Sequence, residues 1–508
     1  MGLFDFLKKK KPAPAPAQAS VSQRPQLRVA DVLMLPAGPT TWAIRRDNAS
    51  TLRLESSDAA MLERCARFRS IADHAGALGE TLGLDRREVA ELEQRLSAWA
   101  DAGFLVSSRS IARGQPGEGV RIDLVAILGD ARSRVRTDRR IVDEDPAFLA
   151  RLAERARVPR ESVTRAIGPG DQGLMNRAIL AGAGAGVAIL DGSLTGRAVR
   201  MPSSEGTTIA DDPREWWPSV EMALEDVDLV AALEPALGRP LGSAISEPLS
   251  IPELSNPVLA AVTRDRLVGA VSLGVIGPSD GSQHERATAE GSSRARLVDS
   301  PHLRDHVHCR GVSRNAIGHP VTIAAPAMAF DARTIVPPFL GEDASSYGWL
   351  YAYVMQKRAV VHAPLMAETK RPLWTRSPVD LSSGRVLALA AASAGTLALL
   401  TEPADRMVEL GDHLRAVARS EDLERHVEAA RLESLSAWIR RLDAAHEAHR
   451  GEPKDWDTVV SEVRSSFADA SVGSFTPEAI EALRASLRSA SDTLSIWPTL
   501  FEAAKELR

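Results

Sequence analysis

The sequence predicts an α/β protein whose centre is a doubly wound domain, with a small mixed domain before it and a helical region after it. Three observations predict this. VRIDLVAILGD is a largely apolar run that ends in Gly129–Asp130, as a strand buried on both faces does. Segments with helical apolar spacing then alternate with further short apolar runs up to about residue 380. The 508 residues are 44% hydrophobic and 25% charged, a globular composition with room for about two to four domains.

Composition also removes function classes. The formal charge of −5 gives no global basic field for nucleic acid. Two cysteines, Cys65 and Cys309, make no disulfide framework and fit a reducing compartment, so a soluble cytoplasmic protein is expected. No apolar run reaches the roughly 18 residues of a membrane span. The opening GLFDFL is broken by Asp5 and lacks a cleavage site, and Phe6 stands where myristoylation motifs want Ser or Thr.

Residues 1–25 carry Lys8 to Lys11 and then alternating Pro-Ala, which reads as an extended, disordered, solvated tail. Membrane-surface contact through residues 1–11, with Phe4, Phe6 and Leu7 inserted, is the alternative. Residues 26–110 read as a small domain. TTWAIRRDNASTLRLES alternates on both sides of Asp47–Asn48, a hairpin signal. Helices are expected over Ala59 to Phe68 and Ser70 to Leu82. Asp85 and Glu88 form a capping box for a third, with Val89, Leu92, Leu96 and Trp99 on one face. Gly103 ends it before the strand FLVS.

Hairpin, three helices and a closing strand is a winged-helix order. The segment from Ala60 to Ser107 resembles the PqqD-like domains that recognise leader peptides in the biosynthesis of ribosomally made peptide natural products (RiPPs). The resemblance implies a leader or precursor peptide added as a strand on the hairpin edge, Thr41–Ile44 or Thr51–Leu54. Pure packing and DNA binding are the competing readings. Glu88, Glu91 and Glu93 make the third helix too acidic to read a groove.

After the linker RGQPGEG, residues 118–380 form the large domain. The run Val120 to Leu128 is its first strand; RRIVDEDP suggests a second, followed by the helix PAFLARLAERA. DQGLMNRAILA is a helix leading into the strand Val187–Leu190 and Asp191. The intervening GAGAG at 182–186 precedes a strand instead of following one, so it reads as a helix-to-strand turn and not as a dinucleotide fingerprint.

These segments resemble bacterial GT-A type glycosyltransferases of the family 2 kind. VDEDP resembles their acidic nucleotide-holding cluster, MNRAIL their Arg-Asn helix with the pair inverted (Asn176–Arg177), and AILDGSL their Asp-x-Asp motif. The order of LVGAVSLGVIGPSDGS, RGVSRNAIGHP and MAFDARTIVPPFLGED, then HAP, matches as well. The resemblance covers about half the chain and implies a GT-A-like (Rossmann-like) doubly wound fold with a nucleotide-sugar as donor. It further implies Asp143, Asp145, Arg177 and Asp191 at the nucleotide, Mn²⁺ or Mg²⁺ held by Asp191 and His362, and Asp343 as base with Glu342 orienting it. Asp191 is followed by Gly192 and Ser193, so the motif keeps one carboxylate. A hard cation needs several oxygen ligands. Two readings therefore stand: a glycosyltransferase acting on a ribosomally made peptide or other natural product, and a degenerate GT-A-like scaffold or binding protein in a biosynthetic complex. Glu342 and Asp343 also suit a helix N-cap, and Arg177, Arg197 and Arg200 are candidate cations for the diphosphate.

His302, His306, His308 and Cys309 contain an HxxxH pair, a zinc-ligand spacing, but no second ligand cluster with finger-like spacing accompanies it and an exposed helix is the alternative. Residues 381–508 read as helical. LALAAASAGTLALL is expected to pack inside, and Leu432, Leu435, Ile439 and Leu442 mark one face of an amphipathic helix. Ser474 or Thr476 before Pro477 opens the last one.

Overall fold

A computed structural model describes residues 25–45, 50–107, 117–129, 137–143, 145–200, 205–217, 223–246, 249–251, 266–278, 287, 307–323, 326–340, 344–355, 358–371, 402–448, 455–471 and 476–508. The tail 1–24, the hairpin tip Asp47–Asn48, residues 387–400 with LALAAASAGTLALL, His302, His306 and the pair Glu342–Asp343 lie outside these.

The first unit runs β1 (Leu27–Val29), β2 (Val32–Ala37), β3 (Thr40–Arg45), β4 (Thr51–Glu55), α1 (Ser56–Arg64), α2 (Ile71–Leu82), α3 (Arg86–Asp101) and β5 (Leu105–Ser107). The capping box of α3 forms as its sequence dictates: Asp85 accepts from the amides of Arg87 and Glu88, and Glu88 accepts from the Asp85 amide. Leu92, Leu96 and Trp99 are buried with Leu62, Cys65 and Ala75. Gly103, at φ +81°, turns the chain into β5.

Three details depart from the sequence reading. The hairpin gains a third strand, in the order β2-β3-β4, so Thr41–Ile44 is paired on both sides and the free edges belong to β2 and β4. The first helix spans Ser56–Arg64, three residues earlier than expected at its start and four earlier at its end. The closing strand β5 pairs with β1 and leaves the hairpin alone. Phe68 and Val106 pack against the core of the next unit, so the first unit is seated on it.

That next unit opens with β6 (Ile122–Leu128), β7 (Arg140–Ile141), α4 (Pro146–Ala156), α5 (Arg160–Ile167), α6 (Gly170–Ala181) and β8 (Gly186–Asp191). The turn between α6 and β8 is the GAGAG run. Gly184 takes φ +95°, and a Cβ on Gly186 would stand 2.6 Å from the Arg121 carbonyl. There follow β9 (Leu194–Arg200), β10 (Thr207–Ile209), β11 (Glu215–Trp217), β12 (Glu225–Asp226), α7 (Leu229–Leu233), α8 (Leu241–Ala244), β13 (Leu249–Ser250), β14 (Leu267–Pro278), β15 (Val307–Gly311), β16 (Asn315–Gly318), β17 (Ala327–Asp331), α9 (Ala344–Val354) and β18 (Arg358–Thr369). His308 and Cys309 thus lie in strand β15 and not in a helix, and Cys309 is buried.

The main path of the sheet is β13-β10-β16-β18-β14-β17-β8-β6-β7. β6, β7 and β8 are mutually parallel, β17 runs against β8 and β14, and β14 and β18 are parallel. Register places Ala316, His362, Ser272, Met328, Ile189 and Ala126 in one row across six strands.

Helices cover both faces. α4, α5, α6 and α9 share one core with α10 (Pro403–Arg419) and α13 (Pro477–Glu506); α7 and α8 close the other face. Thr476 caps α13 ahead of Pro477, accepting from the Ala479 amide. Trp497 of α13 is fully buried and donates to the Val336 carbonyl at 2.8 Å. The C-terminal helices therefore complete the α/β core. α11 (Leu423–Ala448) and α12 (Trp456–Ser471) form a satellite cluster with Leu435, Leu442 and Trp456 buried, while Leu432 points out, 48% exposed. No helix among the described residues is long and apolar enough to cross a membrane.

Candidate functional site

In open α/β sheets, ligands sit beyond the carboxyl ends of parallel strands where the strand order reverses. Here the chain moves from β6 outward to β7 and returns to β8 on the other side of β6, so the reversal lies at the end of β6. Asp143 follows β7 and Asp191 ends β8, opposite Leu128 of β6. The start of α6 meets the same edge, where Asp171 accepts from the Gly129 amide at 3.0 Å. The Asp191 carboxylate accepts from the Ser193 amide at 2.8 Å and pairs with Arg371 at 3.2 Å. The Arg371 side chain is 65% exposed, so its guanidinium can turn toward a ligand.

The other expected nucleotide residues are placed differently. Asp145 caps α4, accepting from the Phe148 amide at 2.9 Å, and pairs with Arg151 at 3.7 Å. Arg177 is half-buried on α6, about 10 Å along the helix from the end that meets the crevice. Its neighbour Asn176 is fully buried and structural. It donates to the carbonyls of Ile167 and Phe339 and accepts from the Phe339 amide at 2.7 Å, clamping 335–340 to α6. Arg197 pairs with Glu368 through two contacts, at 2.6 and 2.9 Å.

His362 lies in the interior. Thr322 donates its hydroxyl to the His319 carbonyl at 2.7 Å, so toward His362 Nε2, 2.8 Å away, its oxygen accepts. Nε2 therefore carries the proton, and Nδ1 accepts from the Ser272 hydroxyl at 2.6 Å. Burial, reinforced by the positive charge of Arg214, pushes the imidazole down to about 3, so the ring is neutral. Neither nitrogen has a lone pair left for a cation.

Asp191 and His362 stand on strands separated by three strand spacings, roughly 14 Å, so the structure does not bring them together as ligands. Among the described residues no group of three or more His, Cys, Asp or Glu is arranged to hold a metal. The cysteines are not poised as nucleophiles either, because burial pushes both thiols up to about 12.

Around His362 the structure gathers residues that sequence reasoning missed. Asp212 receives both arms of Arg214 at 2.8 Å and Arg310 at 3.4 Å. Desolvation opposes its ionisation, but the two guanidinium groups hold it well below the usual carboxylate range. Arg310 also lies over the Trp216 ring, 5.0 Å from its centre. DDPREWW was the available signal, an acidic turn beside an Arg and two aromatics. Its partner Arg310 lies 98 residues beyond Asp212 and shares no local pattern with it.

The chain matches no family model, no curated protein and no solved structure.

Proposed function

We propose that the α/β unit is a GT-A-like domain that binds a nucleotide-sugar beyond the carboxyl ends of β6, β7 and β8, and that the chain is a glycosyltransferase. The observation that carries this is the placing of Asp143 and Asp191 on either side of the end of β6, at the reversal of the winding. Asp143 accepts hydroxyl hydrogen bonds from the nucleoside. Arg371 leaves Asp191 for the diphosphate, which guanidinium matches in a bidentate way. The resemblance brings Mn²⁺ or Mg²⁺ with it, but Asp191 and His362 do not fit that role together.

In the transfer, the acceptor oxygen or sulfur attacks the anomeric carbon and the sugar–phosphate bond breaks. The nucleoside diphosphate departs, and Asp343 takes the acceptor proton with Glu342 orienting it. The test is thermal stability and sugar transfer, or donor hydrolysis, by wild type, Asp191→Asn, Arg371→Gln and Asp343→Asn. UDP-sugar at a hundredfold excess over its dissociation constant should stabilise the wild type by about 2–3 kcal/mol. Asp191→Asn and Arg371→Gln should weaken that effect, and Asp343→Asn should keep it while transfer falls by about 10²–10⁴. No shift with any nucleotide-sugar sinks the proposal.

A second reading, a scaffold that binds without transferring, is favoured by the engagement of both His362 nitrogens by hydroxyls. Binding by a wild type inert toward every acceptor selects it.

We also propose that the first unit takes a leader or precursor peptide on the β2 edge. Leu35 and Trp42 face one another in register there, 43% and 39% exposed, an apolar pair beside unpaired backbone. Leu35→Asp in the full chain should weaken binding of a cognate leader by tenfold or more; unchanged affinity rejects the edge.

A further inference from the structure

Opposite the crevice, at the amino ends of β14 and β18, lies a cavity of about 470 Å³. It falls within the range of small-molecule sites. Five cations reach its wall: Arg266, Arg333, Arg358, Arg406 and Lys505. Two carboxylates share that wall, Glu402 and Glu502, and Glu502 is taken by Lys505 at 3.2 Å. Asp331, behind the wall, holds Arg333 at 2.9 Å and stands 3.8 Å from Arg358, beyond hydrogen-bond reach. One carboxylate thus answers two guanidinium groups.

Arg406 is only 2% exposed, on the first turn of α10. One terminal nitrogen donates to the Val354 carbonyl at 2.8 Å, while its Nε is buried with no hydrogen-bond partner among the described residues. Arg358 Nη1 and Thr334 Oγ1 are buried in the same condition. Burial lowers the Arg406 pKa; Tyr353, Glu402 and Glu409 oppose that shift, and the facing charge of Arg266 adds to it. Buried donors without partners and like charges facing each other are both costly, and an anion among them relieves both. The rest of the wall is apolar, with Leu267, Ile335 and Met355 among its residues.

We propose that this cavity binds an organic phosphate, its phosphoryl oxygens on Arg358, Arg406 and Thr334 and an apolar body against Leu267, Ile335 and Met355. Glu402, whose side chain makes no capping bond at the start of α10, sets a polar limit on one side. The site lies across the sheet from the crevice and does not depend on the nucleotide reading.

The experiment is calorimetric titration of the full chain with hexyl phosphate, inorganic phosphate and hexanol, at two salt concentrations. Hexyl phosphate should bind saturably, at least tenfold tighter than inorganic phosphate, and weaken with salt. Arg358→Gln should lower its affinity tenfold or more. Because Arg406 also supports the α9 end through Val354, Thr334→Val serves as the second variant and should lower affinity severalfold. Hexanol binding as tightly as hexyl phosphate, or no saturable binding of hexyl phosphate at millimolar concentration, overturns the proposal. So does an affinity that Arg358→Gln and Thr334→Val leave unchanged. Loss of hexyl phosphate binding on adding UDP, or in Asp191→Asn, would place the ligand in the crevice and also overturn it.

Discussion

Acidification tests the buried imidazole of His362. Its pKa of about 3 in the fold lies far below the roughly 6.5 of an exposed imidazole, so in this interval the unfolded chain binds the proton and the folded one refuses it. Stability is therefore fully present above about pH 6.5 and is lost as the pH falls toward 3. At pH 5 the unfolded imidazole favours its proton by about 1.5 powers of ten, worth about 2 kcal/mol at about 1.4 kcal/mol each. His362→Gln offers an N–H to Thr322 and a carbonyl to Ser272 without a titrating ring. Urea unfolding of both proteins at pH 7 and pH 5 should show the variant losing about 2 kcal/mol less than the wild type on acidification. Equal losses would refute the assignment. So would a carbon resonance of the His362 ring that titrates with a midpoint near 6 in the folded protein.

Two further substitutions probe the same construction. A Cβ on Gly318 would stand 2.8 Å from both His362 Nε2 and Thr322 Oγ1 and 2.9 Å from Pro213, so Gly318→Ala should cost about 1–3 kcal/mol of stability in urea unfolding. Asn176→Ala strands the buried Phe339 amide and takes the Asn176 donor from the Ile167 carbonyl, while the Phe339 carbonyl keeps Gln172; a loss of about 2–3 kcal/mol is expected, and a loss below about 0.5 kcal/mol would refute the clamp.

What could be read from the chain was local. The α3 capping box, the Thr476–Pro477 helix start and the turn at GAGAG each rest on residues within a few positions of one another, and each forms as read. The strands β6 and β8 were legible because both faces are buried, which leaves an unbroken apolar run. β2 was hidden by Pro36 inside it, and Pro suits an edge strand of this kind. β9 was hidden because LTGRAVR mixes Gly and Arg with apolar residues. Pairing partners escape sequence reasoning for a different reason. A one-residue slip of β18 would turn His362 to the other face, and nothing near His362 in the chain encodes Ser272 or Thr322. That is why a histidine read as a metal ligand proved to be a neutral bridge between two hydroxyls. The position of the Asp143 and Asp191 carboxylates could be anticipated, because each follows its own strand.

The joining of α13 to α4, α5 and α6 sets a timetable for synthesis. The apolar side of α6 leaves the ribosome roughly 300 residues before α13 is made, which at about 5–20 residues per second is a wait on the order of 15–60 s. Through that interval Leu487, Leu494, Trp497 and Phe501, which close the core, do not yet exist. The nascent α/β unit must be sheltered by a chaperone or hold itself loosely collapsed. A cell making this protein thus bears its aggregation risk during translation, and a stop codon introduced near residue 470 would send the sheet to proteolysis rather than leave a working half.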